Sequence, residues 1–131
     1  MRKVIYSLLL VSLSVLLLHV VVIAKSTEYV GYLSDVMCAR KGIVSDGTNL
    51  HKSPKKHTVA CMKMPDCASS GYGVFIKDKE AGKYVFYKFL EKGNDITNKL
   101  LETTKKTDNM KMKVKGIMIK DFIMVDSIVE E

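Results

Sequence analysis

The chain has 131 residues, 47% of them hydrophobic and 27% charged, with a formal net charge of +7 and three cysteines. Beyond the first 24 residues this length supports one hydrophobic core and calls for no second domain. Arg2 and Lys3 account for two of the positive charges, and the remaining +5 is scattered over lysines, with Arg40 the single arginine past the leader. That scatter, with no arginine and aromatic platform interleaved, gives no reason to expect nucleic acid as a partner; it favours solubility and loose attraction to anionic surfaces.

Val4 to Ala24 is an almost unbroken apolar run behind a basic start, and Val22-Ile23-Ala24 ends it in a form that suits cleavage before Lys25. The run also reaches the roughly 20 residues needed to cross a bilayer. Residues 1–24 are therefore expected to be a signal peptide or an uncleaved membrane anchor. Either sends residues 25–131 out of the cytoplasm, to a periplasmic, cell-surface or secreted location. A membrane contact is expected only through that segment.

Glu28 to Val36, "EYVGYLSDV", reads as a first strand covered on both faces, with Cys38 at its end. Ala39 to Lys52 contains Gly42, Asp46-Gly47 and Asn49 and reads as a loop. Ser53 before Pro54 predicts a helix start, with the helix running to about Met64 and stopped by Pro65. Tyr72 to Lys77 and Lys83 to Leu90, joined by "DKEAG", predict a hairpin. A second, amphipathic helix follows, capped by Asn94 or Asp95 and presenting Ile96, Leu100, Leu101 and Thr104. In "MKMKVK", Met110, Met112 and Val114 alternate with lysines, which predicts a strand with one face in the core. Gly116 marks a bulge or bend, Lys120-Asp121 a turn, and Phe122 to Val129 the last strand. Met118 and Met124 read as core with the other methionines of this region.

Five strands with a helix between the third and fourth give the order of the OB-fold. The expectation is a mainly β, five-stranded antiparallel Greek-key barrel with a helical, cysteine-bearing insertion between strands one and two. An open antiparallel sheet packed by two helices is the alternative.

The chemistry concentrates in that insertion. On one helix His57 and Cys61, four residues apart, share a face; Cys67 follows on the returning chain and Cys38 precedes. Three readings compete. Two of the three cysteines can form a disulfide, with Cys38 bonded to Cys61 or Cys67 the favoured pairings. Cys38, His57, Cys61 and Cys67 also form a Cys3His set suited to tetrahedral zinc, although five residues between Cys61 and Cys67 depart from the usual knuckle spacing. Met37, Met62 and Met64 beside the cysteines equally suit copper as Cu(I). Lastly, His57 beside Cys61 can lower its thiol pKa and make it a nucleophile or redox centre, with no Cys-x-x-Cys pair to support it.

Ser34 and Asp35 read either as part of a polar site at the strand end or, more simply, as partners of local backbone groups. His51 is a reserve ligand. The stripe Lys111, Lys113 and Lys115 reads as a solvated strand face, or alternatively as a surface for an anionic envelope polymer. No paired carboxylates, serine elbow or zinc-protease helix points to hydrolysis, and the expected role is a non-enzymatic binding or structural module whose partner is a metal ion or a cell-envelope component.

"GYLSDVMC", the later "HT…C…C" and the following "SGYG" make the chain resemble a group of small exported bacterial domains of unknown function. The resemblance continues into "KVKGIMIKDFIMVDSI" and covers nearly all of residues 25–131. It implies export and an OB-like architecture, and it carries no activity.

Overall fold

The computed structural model describes residues 24–131, so the expected leader or anchor lies outside the described residues but for Ala24. Five strands, β1 (Thr27–Asp35), β2 (Tyr72–Lys77), β3 (Tyr84–Phe89), β4 (Lys111–Ile119) and β5 (Phe122–Glu130), form a mixed sheet. It closes into a barrel in the order β1-β2-β3-β5-β4. The antiparallel expectation holds for four of the contacts and fails at one: β3 and β5 pair in parallel through Lys88 with Phe122 and Phe89 with Ile123. The reason is topological. Around a closed ring the strand direction must return to itself, so antiparallel pairings come in an even number and five strands need at least one parallel seam.

The barrel interior is filled from alternate positions of each strand. Met112 and Val114 of β4, Ile123, Val125 and Ile128 of β5, Leu33, Val74 and Phe89 are all buried in one cluster. A register shift between Lys115 and Gly116 skips Asp126, so the bulge falls at the expected glycine but its extra residue is on β5. Met124 falls between two inward residues and is exposed, contrary to its expected core role, because the alternation along β5 turns it outward. Helix α4 (Glu91–Thr103) closes one end of the barrel with Gly93, Thr97 and Leu101, spaced four apart and buried. Its N-cap is Leu90, ahead of the expected one, and Asn94 instead accepts a hydrogen bond from the Tyr72 amide at 2.8 Å. Among the described residues no helix is long and apolar enough to cross a membrane.

Between β1 and β2 the chain makes α1 (Val36–Lys41), a 3-10 turn (Pro54–Lys56), α2 (Val59–Met62) and α3 (Pro65–Ser69). Three corrections follow. Cys38 lies in α1 and not at the strand end, and α1 occupies the first part of the expected loop until Gly42, in the left-handed region at φ 72°, ends it. The single helix over Pro54 to Met64 is broken: Thr58 adopts an extended backbone and caps α2 with its hydroxyl on the Cys61 amide, which a continuous helix forbids. Pro65 opens α3 where it was expected only to stop a helix; at the first helical position its missing N–H costs nothing.

The insertion docks on the outside of the barrel wall. Val74 points inward, so its neighbour Phe75 points out, and it is nevertheless fully buried in a second cluster with Cys38, Ala39, Leu50 and Cys67. Backbone bonds from Val59 to Thr107, from Asn109 to Lys55 and from Val36 to Gly71 tie it down.

Candidate metal centre

Each of the three cysteines is the third residue of a short helix, after Asp35 in α1, Thr58 in α2 and Met64 in α3. Two of those caps are side-chain caps: Asp35 Oδ1 accepts from the Cys38 amide at 2.8 Å and Thr58 Oγ1 from the Cys61 amide at 3.2 Å. The three first turns converge on one point. Cys38 Sγ lies 3.7 Å from Cys61 Sγ and 3.9 Å from Cys67 Sγ. A carboxylate oxygen of Asp35 belongs to the same group, in which all four donor atoms lie within 4.8 Å of one another.

These are contact distances, well above the ~2.05 Å of a disulfide, and all three cysteines are free thiols. The expected disulfide is therefore not formed in this structure. The sulfurs surround a common centre, and none of them is turned towards a single partner. Tetrahedral zinc with Zn–S near 2.3 Å needs sulfur atoms about 3.8 Å apart, close to the spacing observed.

His57 lies behind Asp35, outside the group of four donors. The break at Thr58 leaves it as the residue that ends the 3-10 turn, in extended conformation, so it and Cys61 do not share a helical face. Its Nδ1 is 2.8 Å from Ser34 Oγ and its Nε2 is 3.3 Å from Asp35 Oδ2. Asp35 and His57 are 0% and 2% exposed, and Asp35 Oδ2 and His57 Nε2 have no hydrogen bond of acceptable geometry among the described residues. Burial lowers the His57 pKa, against the opposing pull of Asp35, so the ring is neutral at neutral pH and the 3.3 Å contact is no ion pair. Ser34, His57 and Asp35 touch in the order of a hydrolytic triad, yet Ser34 is 0% exposed and no substrate reaches it. His51 is elsewhere, with its ring against Phe75 and its Nδ1 3.3 Å from the Tyr84 carbonyl oxygen.

Burial raises the Cys38 thiol pKa far above its ordinary range, and the charge of Asp35 and the two neighbouring thiols add to the effect. Burial, then Asp35, raises Cys67 in the same direction. The metal-free site thus holds Cys38 and Cys67 as protonated thiols and His57 as a neutral imidazole. Stability follows with a definite sign. His57 binds a proton more readily unfolded, so stability is lost as pH falls below about 6.5; Cys38 and Cys67 hold theirs more tightly folded, so it is lost as pH rises above about 8.5. Denaturant midpoints measured in chelator from pH 5 to 10.5 are expected to form a dome with its top between those values, each fully mismatched group contributing up to about 1.4 kcal/mol per pH unit.

Cys61 differs from the other two. It is partly exposed and faces an open cleft of about 440 Å³ lined by Met37, Lys41, Ile43, Val44, Met64 and the three cysteines, among others. Asp35 is the site residue that counting cysteines and histidines passes over. Its signal in the sequence is the spacing Asp-x-x-Cys, a cap three residues ahead of the thiol, which Thr58 repeats ahead of Cys61. No protein-family model, curated protein or solved structure matches this chain.

Proposed function

We propose that this protein is an exported metal-binding module of the cell envelope, a small OB-like barrel that holds zinc through Cys38, Cys61, Cys67 and Asp35. The barrel reading is supported by the strand order β1-β2-β3-β5-β4 with α4 between the third and fourth strands. Export is argued from the apolar run over residues 4–24.

One observation carries the metal reading: a fully buried carboxylate with one oxygen lacking a hydrogen bond sits among three thiols at near-tetrahedral spacing. Without a cation this arrangement is unfavourable, since a buried carboxylate needs a charge or several donors and here it has one amide and a poorly aligned neutral imidazole, with thiols beside it. A divalent ion takes the place of the thiol protons and gives the carboxylate oxygen a cation to bond, in a loaded site that stays anionic. The oxygen donor favours zinc over Cu(I), which the sulfurs alone would suit. His57 then holds Asp35 from behind, with Nε2–H towards Oδ2 and Ser34 donating to Nδ1, as ligating carboxylates are commonly held by a hydrogen-bond donor.

The test is elemental analysis and intact-mass measurement on full-length protein purified under reducing conditions without chelator. The expected result is one zinc per chain, with the buried Cys38 and Cys67 alkylating only after the metal is stripped. Three thiols that alkylate at once, with no zinc or copper taken up on titration, would overturn the reading.

A further inference from the structure

The three sulfurs differ in access and in contacts, and a site built only to hold an ion needs no such difference. Cys38 and Cys67 are 8% and 6% exposed, whereas Cys61 is partly open. Cys61 also forms part of the wall of the 440 Å³ cleft, a volume within the usual range for small-molecule pockets. Met37, Ile43, Val44 and Met64 make its walls largely apolar, Met64 being 56% exposed, and Lys41 and Asp66 supply one charge of each sign, Lys41 being the cation. Cys38 Sγ touches both other sulfurs, at 3.7 and 3.9 Å, so it is placed behind Cys61 as a second thiol.

We propose that the site also carries out thiol–disulfide exchange with a small, carboxylate-bearing organic disulfide bound in this cleft, and that the exchange ejects the metal. The proposal rests on the zinc reading for its second half only. The Cys61 thiolate attacks one sulfur of the disulfide R–S–S–R, forming a Cys61–S–S–R bond and expelling RS⁻. The Cys38 thiolate then attacks the Cys61 sulfur, forming Cys38–Cys61 and expelling the second RS⁻. Two electrons pass from the two cysteines to the disulfide, which leaves as two thiols once water protonates them. Zinc is left with Cys67 and Asp35 and dissociates, because two donors do not make a closed structural site. Closing the sulfur pair from 3.7 Å to about 2.05 Å asks for side-chain rotation in two short helices that the barrel wall does not enclose on the cleft side.

Oxidised glutathione is the probe. Zinc-loaded full-length protein is mixed with it in the presence of a chromophoric zinc chelator, and zinc release, reduced glutathione and the mapped disulfide are followed together. The expected result is one zinc and two reduced glutathiones released per Cys38–Cys61 bond formed. Lys41→Glu is expected to slow release at least about tenfold with zinc affinity unchanged, since only the approach of the carboxylates is altered. A glutathione adduct that keeps its zinc, a first disulfide joining Cys38 to Cys67, or Lys41→Glu reacting at the wild-type rate would overturn the proposal. In zinc-free protein the same bond and the same two thiols are expected, so a failure of the metal reading leaves the exchange reaction readable on its own.

Discussion

Cys38→Ser is expected to abolish high-affinity zinc binding, lowering affinity by about a hundred- to a thousandfold. The magnitude comes from the ~10–16 kcal/mol with which structural zinc sites bind, divided over four donors, which puts each at about 2.5–4 kcal/mol. Cys38 is the most damaging of the three to lose because its sulfur contacts both others, at 3.7 and 3.9 Å, and its amide carries the Asp35 cap. Competition against a chromophoric chelator gives the affinity. A second readout guards against a variant that merely unfolds. At zinc a thousandfold above Kd, binding adds about 4 kcal/mol to stability, so wild-type protein should melt at distinctly lower temperature in chelator than with zinc. In Cys38→Ser at the same zinc concentration the gap should shrink to about 0.4–1.4 kcal/mol, with both curves displaced by the ~1–3 kcal/mol that a poorly partnered buried hydroxyl costs. A serine variant that binds one zinc at wild-type affinity would remove Cys38 from the site. Because Cys38 and Cys67 hold their protons so firmly in the metal-free state, zinc uptake at pH 7.5 should also release about two protons from these two thiols in the wild type.

What the sequence disclosed about this molecule tracks how local each signal was. The alternation of Met110, Met112 and Val114 with lysines, the bend at Gly116 and the turn at Lys120-Asp121 depend on neighbours one or two residues away, and β4 and β5 follow them closely. The hairpin of β2 and β3 was legible for the same reason. The parallel seam between Lys88 and Phe122 is a property of ring closure, which no window of residues contains. In the insertion, Pro54 to Met64 looks helical throughout, and what breaks it is a competition that Thr58 settles by capping the Cys61 amide. That break carries His57 away from Cys61 and towards Ser34 and Asp35. The convergence of Cys38, Cys61 and Cys67 depends on docking the insertion on the barrel wall, a contact between segments far apart in the chain. The place of Asp35 depended on the direction in which β1 hands over to α1, and its capping role was visible while its second oxygen was not.

Asp35→Asn separates the two tasks this residue performs. Asparagine is nearly isosteric, and its carbonyl oxygen still accepts from the Cys38 amide, so the α1 cap survives. What is lost is the negative charge beside the thiols and the anionic oxygen at the metal. Zinc affinity is expected to fall by about ten- to a hundredfold, less than for a cysteine because the three sulfurs remain and water can take the fourth position. The metal-free protein should respond in the opposite sense. Asp35 is a cause of the raised pKa of both Cys38 and Cys67, and with its charge gone both thiols should ionise more readily in the folded state, so the alkaline loss of stability should still begin near pH ~8.5 but level off sooner and be smaller in total. Asp35→Ala is the contrasting variant: it removes the cap, worth about 1 kcal/mol, and leaves His57 Nε2 facing a void, so it should destabilise metal-free protein where Asn does not. Chelator competition and denaturant midpoints at pH 7 and pH 10 on both variants read these effects apart. Equal zinc affinity in wild type and Asp35→Asn would reduce Asp35 to a helix cap and leave the three sulfurs as the whole of the site.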